Sequence, residues 1–213
     1  MSRSRTRIKI CGITDAAHAR LAAEEGADAI GLVFYRESPR FIDAERAAGI
    51  ARTLPAFVSA VGLFVDESEA GIRRILERVP LDMLQFQGGE SPEFCERFGR
   101  PWMRAVRMAA GTDLLEYAGR FSRAKALLLD AHVPGQPGGT GQTFDWSAVP
   151  RDLPLPIVLS GGLTSENVGR AIRGMRPWGV DVSSGVEKER GVKDPAKIVE
   201  FIRSVRREDG QTS

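Results

Sequence analysis

Two side chains with acid–base chemistry close apolar runs: Cys11 ends "RIKIC" and Asp130 closes "AKALLLDA". A cysteine acts as a base only as thiolate, a form favoured by a nearby cation or a helix N-terminus. A carboxyl group donates protons near neutral pH when desolvation raises its pKa. The pair can therefore supply a base and an acid. Each also has a plainer reading. A lone cysteine at a strand end is most often a small buried apolar residue, and an aspartate there can cap a helix or pair with a cation. Two further runs end in Gly/Ser clusters. "SGG" (Ser160, Gly161, Gly162), followed by Thr164 and Ser165, and "SSG" (Ser183, Ser184, Gly185) offer backbone N–H groups that a phosphate can approach closely. Here the plainer reading is turns and helix caps. Arg40, in "YRESPR", follows another apolar run.

Positioning these residues requires strands that all finish on one side. The chain supplies eight β-rich runs: "RIKICG", "DAIGLVF", "FVSAVGLFV", "DMLQFQG", "WMRAVRM", "AKALLLDA", "LPIVLSGG" and "WGVDVSSG". Helical patterns separate them, such as Ile72, Ile75, Leu76 and Val79 in "SEAGIRRILERV". A short pattern, "DWSAVP", and a long one, "DPAKIVEFIRSVRRE", complete the alternation. Eight βα units predict an α/β fold, a single-domain (β/α)8 TIM barrel over residues 7–206, with a flexible basic tail at 1–6 and another tail at 207–213. An internal echo fits this repeat: "GITDAAHAR" from Gly12 and "GLTSENVGR" from Gly162 share Gly, Thr, a capping residue and Arg at matched offsets.

Strand alternation then constrains the interior. If Cys11 faces inward, so does Lys9, while Ile8 and Ile10 face the helices. On the last strand, Asp181 and Ser183 face inward. The first and eighth strands adjoin in a closed barrel, so Lys9 and Asp181 are expected to form a buried ion pair beneath Cys11 and Ser183, with the ammonium favouring thiolate. Asp130 precedes a glycine- and proline-rich loop, "HVPGQPGGTGQTF", in which Gly138, Gly139, Thr140 and Gly141 are expected to form a lid. A carboxylate under a lid is partly desolvated, which suits a general acid.

Composition excludes several classes. The chain has 213 residues, 42% hydrophobic and 27% charged, with a net charge of +2. That balance describes an ordinary globular protein with a weak overall field. The basic ends, "MSRSRTR" and "RSVRRE", lack interleaved aromatic residues, so no nucleic-acid partner is expected. No run approaches the ~18 apolar residues of a membrane span, and no secretory signal opens the chain. A cytoplasmic location with reduced Cys11 and Cys95 follows as the default. His18 and His132 have no fixed carboxylate partner, so no metal site is expected. "GGTGQT" lacks the lysine and spacing of a P-loop.

Several motifs together resemble the phosphoribosylanthranilate isomerase family of tryptophan biosynthesis: "KICGIT", "SPR", "QFQG", "LLLDA", "GGTGQTFDW", "LSGGL…NV" and "GVDVSSGVE…GVKD…K". The resemblance runs from about Lys9 to Lys197, with the motifs in the family's order. It implies a cofactor-free Amadori rearrangement of a phosphorylated small molecule, N-(5-phosphoribosyl)anthranilate, to an open-chain ketose. It implies Cys11 as general base, Asp130 as general acid, Arg40 as the holder of the anthranilate carboxylate, and Gly161, Gly162, Ser183, Ser184 and Gly185 around the phosphate. A monomer is expected, with a homodimer as the other assembly. Two rival readings stand beside this one. The related aminoaldose isomerase of histidine biosynthesis shares the fold but uses an aspartate where Cys11 stands. A non-catalytic barrel that senses a phosphorylated ligand would need neither acid nor base.

Overall fold

All eight predicted runs form strands. They are β1 (Arg7–Cys11), β2 (Ala29–Val33), β3 (Ser59–Phe64), β4 (Met83–Phe86), β5 (Trp102–Met108), β6 (Leu127–Ala131), β7 (Ile157–Leu159) and β8 (Gly179–Val182). In the computed structural model they are all parallel and close into a barrel in sequence order, β1 pairing with both β2 and β8. This is the (β/α)8 architecture. The structure describes residues 5–109, 111–131, 145–146, 149–150 and 152–211. The expected lid residues Gly138, Gly139, Thr140 and Gly141 lie outside these, and "DWSAVP" does so in part.

Among the described residues, seven α-helices follow the strands: α1 (Ala16–Glu24), α2 (Ala44–Thr53), α3 (Glu69–Leu76), α4 (Pro92–Cys95), α5 (Leu114–Arg120), α6 (Val168–Met175) and α7 (Pro195–Gln211). Their starts are encoded locally. Asp15, Asp43, Ser68, Ser91 and Asp113 each accept hydrogen bonds from the first-turn N–H groups that a helix leaves unpaired. The helices pack on the outward strand residues, including Ile8, Ile10, Ile30, Leu32, Leu127 and Leu129, in one continuous core. Inward residues Val61, Met103, Ala105, Ala126 and Leu128 fill the barrel with a separate apolar layer. The interior is thus plugged below, and its polar residues lie toward the strand C-termini.

The expected boundary at 206 needs correction, because it falls inside α7. Glu208 is buried, and Asp209 accepts from Thr6 N at 2.9 Å and Thr6 Oγ1 at 2.7 Å. Arg5 in turn donates to Asp28 (Nη1 to Oδ2, 2.8 Å). Charged residues that read as a solvated tail instead tie the two ends of the chain together. A second addition is a small antiparallel hairpin after β8, β9 (Glu187–Glu189) and β10 (Val192–Lys193). Its sequence, "EKERGVK", lacks the apolar alternation that marks a strand.

Candidate active site

The β1–β8 register sets Lys9 opposite Asp181, as alternation requires. Lys9 Nζ donates to Asp181 Oδ1 at 2.7 Å with both side chains buried, and Ser160 Oγ donates to Asp181 Oδ2 at 3.3 Å. Burial opposes the charge on Lys9, but Asp181 and Cys11 more than offset it and hold the ammonium firmly protonated. Cys11 lies just above. A Cβ placed on Gly31 of β2 would sit 2.8 Å from Cys11 Sγ and 3.1 Å from Lys9 Nζ, so glycine is what gives the thiol and ammonium their shared space. After Cys11 the chain turns through Gly12 at φ +76°, a conformation that glycine adopts without strain.

The Lys9 ammonium favours the Cys11 thiolate, as expected, but burial outweighs it. Burial pushes the thiol above its ordinary value, Asp181 adds to the rise, and the pull of Lys9 and Lys193 does not cancel them. Sequence showed the cation but not the depth. Asp130, in contrast, behaves as its position suggested. Burial and the charge of Asp181 raise its pKa to about 6, against the opposing effects of Ala131 N–H, Arg107 and Lys9. Gln87 Nε2 approaches Asp130 Oδ2 at 3.5 Å, and Gln85 donates to Gln87 at 3.2 Å.

Cys11 and Asp130 line one cavity of about 370 Å³ at the C-terminal mouth of the barrel. Arg40 lines it too, as do Gly161 and Gly162 after β7 and Asp181, Ser183 and Ser184 around β8. Lys9 lies beneath, and Gly185 contributes nothing to the lining. A Cβ on Gly185 would fall 1.9 Å from the Leu163 carbonyl oxygen. Gly185 therefore allows the loops after β7 and β8 to touch, and a side chain there would part them rather than project into the cavity. Gly161 (φ +84°) is similarly confined, since a Cβ would meet Ala131 N at 2.4 Å.

Arg40 arrives from the loop after β2 with its stem against Gly12. Its guanidinium already grips a carboxylate: Nε donates to Glu187 Oε1 at 2.7 Å and Nη2 to Glu187 Oε2 at 2.9 Å, both side chains buried. Lys193 Nζ joins them at 2.8 Å from Glu187 Oε1. Glu187 and Lys193 had no assigned part in the sequence reading, although both stand in its last motif. Gln85, Gln87 and Arg190 were also missed as cavity residues, whereas Ser160 stood in the "SGG" cluster already singled out. Gln85 and Gln87 carried a signal, since one lies within β4 and the other directly follows it. Among the described residues no group of three His, Cys, Asp or Glu could hold a metal ion, and no helix is long and apolar enough to cross a membrane.

A family model described as N-(5'phosphoribosyl)anthranilate (PRA) isomerase matches residues 8–204. The N-(5'-phosphoribosyl)anthranilate isomerase of Thiobacillus denitrificans is 54% identical over 196 residues, covering 92% of this chain and 96% of that protein. Among solved structures, phosphoribosyl anthranilate isomerase from Thermotoga maritima superposes with a TM-score of 0.87 at 41% identity, over 94% of this chain and 98% of that one. A phosphoribosyl anthranilate isomerase in complex with reduced 1-(o-carboxyphenylamino)-1-deoxyribulose 5-phosphate gives 0.84 at 40% identity, over 94% and 98%. The chain thus belongs to the N-(5'-phosphoribosyl)anthranilate isomerase family, aldose–ketose isomerases of tryptophan biosynthesis.

Proposed function

We propose that this chain isomerises N-(5-phosphoribosyl)anthranilate to 1-(2-carboxyphenylamino)-1-deoxyribulose 5-phosphate, with Asp130 as general acid and Cys11 as general base. The observation that carries this assignment is that the two side chains, both buried, line one cavity from different strands, β1 and β6. Asp130 gives its proton to the ring oxygen. The bond from that oxygen to C1′ breaks as the anthranilate nitrogen lone pair forms a protonated imine. The imine acidifies C2′–H, and the Cys11 thiolate removes that proton to leave a neutral enolamine. C1′ then gains a proton as the C2′ hydroxyl loses one, giving the ketone.

A cationic imine beside Cys11 also favours the thiolate just when the base is needed, because opposite charge favours the ionised form. The resting thiol is therefore compatible with its role. Arg40 holds the anthranilate carboxylate. Backbone N–H groups at Gly161, Gly162, Ser183 and Ser184 hold the phosphate, with Gly185 keeping the two loops together. Binding energy from that remote phosphate fixes the reacting sugar between acid and base.

The test is a fluorescence assay on phosphoribosylanthranilate made in situ. Cys11→Ser and Asp130→Asn should keep wild-type thermal unfolding and lose turnover by roughly 10²–10⁴-fold or more, the usual worth of a general acid or base. Near-wild-type kcat in either variant removes that residue from the mechanism.

A further inference from the structure

The guanidinium of Arg40 has five N–H donors in a fixed plane. Glu187 occupies the edge formed by Nε and Nη2, at 2.7 and 2.9 Å. That leaves three N–H groups, and two of them, on Nη1 and Nη2, form the opposite, end-on edge. Among the described residues no partner occupies Nη1, and Arg40 lines the cavity. One arginine can thus hold two carboxylates at once, an internal one on its side edge and a ligand's on its end edge.

Glu187 is itself heavily held. Its carboxylate also accepts from Gly191 N at 3.1 Å and Lys193 Nζ at 2.8 Å. Lys193 Nζ completes its three donations on Ser183 O at 2.9 Å and Ser183 Oγ at 3.2 Å. Ser183 Oγ donates onward to the Cys11 carbonyl at 3.1 Å. Burial pulls the Lys193 pKa down while pairing holds that of Glu187 low. Three acceptors around Nζ fit an ammonium. The buried set Arg40, Lys193 and Glu187 then carries two positive charges and one negative. A buried excess charge is costly without a counter-ion, and a monoanionic ligand group at the end edge of Arg40 supplies one.

We propose that Glu187 is a positioning residue for substrate specificity: with Lys193 it locks Arg40 edge-on and leaves one net positive charge that selects a ligand carboxylate. Lys193 joins that selection to the Ser183 strand end and so to the backbone beneath Cys11. The inference rests on the reading of Arg40 as the carboxylate's partner, and it adds how that arginine is aimed and why its charge is not cancelled.

Calorimetry with two probes tests it: the reduced product and the same molecule without the benzoate carboxylate. Glu187→Asp keeps the charge but withdraws it by one methylene. It should weaken the carboxylated probe by about ten- to a hundred-fold, as expected for a charge-assisted contact, and the decarboxylated probe by less than about twofold. Lys193→Met removes the net charge with Arg40 still tethered, and should show the same selective loss. Equal losses for both probes, or none, would overturn the proposal. Arg40→Lys, measured in parallel, separates the two levels. If it fails to discriminate between the probes, the carboxylate reading itself falls. If it discriminates and Glu187→Asp and Lys193→Met do not, only the positioning role falls. Should neither variant fold, a crystal structure of the wild-type chain with the reduced product decides. The ligand carboxylate on the Nη1–Nη2 edge, with Glu187 still on the Nε–Nη2 edge, supports the proposal; Arg40 leaving Glu187 to reach the ligand overturns it.

Discussion

The two sides of the barrel mouth solve opposite problems. Around Cys11, charges are dense and paired: Lys9 with Asp181, and Arg40 and Lys193 with Glu187. Around Asp130 a neutral amide, Gln87, approaches at 3.5 Å, with Leu128 lining the same cavity. A base must be helped to ionise in a buried place, which takes cations. An acid must be kept from ionising, which takes desolvation strong enough to outweigh the nearby Arg107 and Lys9. Asp181 serves both sides, since it anchors Lys9 on one and repels the Asp130 carboxylate on the other. In the proposed mechanism the two groups share one cavity of about 370 Å³, and because Asp130 loses its proton at lower pH than Cys11 does, catalysis runs through the form in which Asp130 keeps its proton and Cys11 has lost its own.

The largest effects should fall on the charged side. Lys9→Met removes the ammonium that opposes the burial of Cys11 and leaves Asp181 buried without its partner. A loss in kcat of about a hundredfold is expected, within the range for impaired acid–base catalysis. Gln87→Leu removes only a long, neutral contact to Asp130. It should cost less than about tenfold, the upper end for one neutral hydrogen bond. Steady-state kinetics on both variants checks the ranking. Equal losses would mean that Asp130 depends on its amide neighbour as much as Cys11 depends on its ammonium, and the asymmetry would be lost.

What sequence revealed and what it hid follow the same physical line. Period-two alternation in "RIKIC" and "GVDVS", joined to barrel closure, placed Lys9 against Asp181 before any coordinates, because parity and neighbourhood are set by local pattern. The capping residue of "GITDAAHAR", Asp15, is the N-cap of α1. The pull of Lys9 toward thiolate was legible, but the burial that outweighs it was not, because burial is a sum over the whole fold. The tight contact of Gly185 was hidden for a similar reason: its close neighbour, Leu163, belongs to a different loop. Glu187 and Lys193 were hidden in a hairpin whose residues are polar and whose partners lie on the distant "SPR" loop. The end of α7 was hidden by charges whose partners, such as Thr6, stand at the other terminus.

A pH profile sharpens the comparison further. In the proposed mechanism turnover requires Asp130 protonated and Cys11 ionised. Asp130 keeps its proton up to about pH 6, and Cys11 yields its own only above the ordinary thiol range. Below pH 6 the thiolate fraction grows with pH while Asp130 stays protonated, so kcat/KM rises. Between the two values the gain in thiolate offsets the loss of protonated carboxyl, giving a plateau. Above the thiol value the rate falls. The rising limb therefore belongs to the acid and the falling limb to the base. The Asp181 charge raises both groups, so Asp181→Asn should move both limbs to lower pH, by about one unit for a close like charge. The substrate phosphate titrates in the same window, so the difference between the two proteins is the readout. Limbs that stay in place would show that Asp181 does not set either group's proton affinity.

The smallest expected effect asks which positive charge Cys11 uses. Two candidates adjoin it in sequence: the Lys9 ammonium and the N-terminus of α1. Asp15 caps that helix, accepting from Ala17 N at 2.7 Å and His18 N at 3.4 Å. Asp15→Ala removes the cap and its negative charge, leaving the helix end more positive. Loss of such a cap typically costs ~1 kcal/mol, which lowers Tm by roughly 2–4 °C in a chain of this size. If the helix end polarised the thiol, the variant should turn over faster at a given pH below the falling limb, because the carboxylate that opposes the helix end is gone. If Lys9 does the work, kcat should stay within about twofold while Tm falls, since a surface charge is screened within a Debye length. The second outcome is expected, because the Lys9 charge is the largest of the influences lowering the Cys11 pKa. Thermal unfolding and kcat measured on the same preparation decide between them. An Asp15→Ala variant with raised kcat would move the source of polarisation from the strand to the helix.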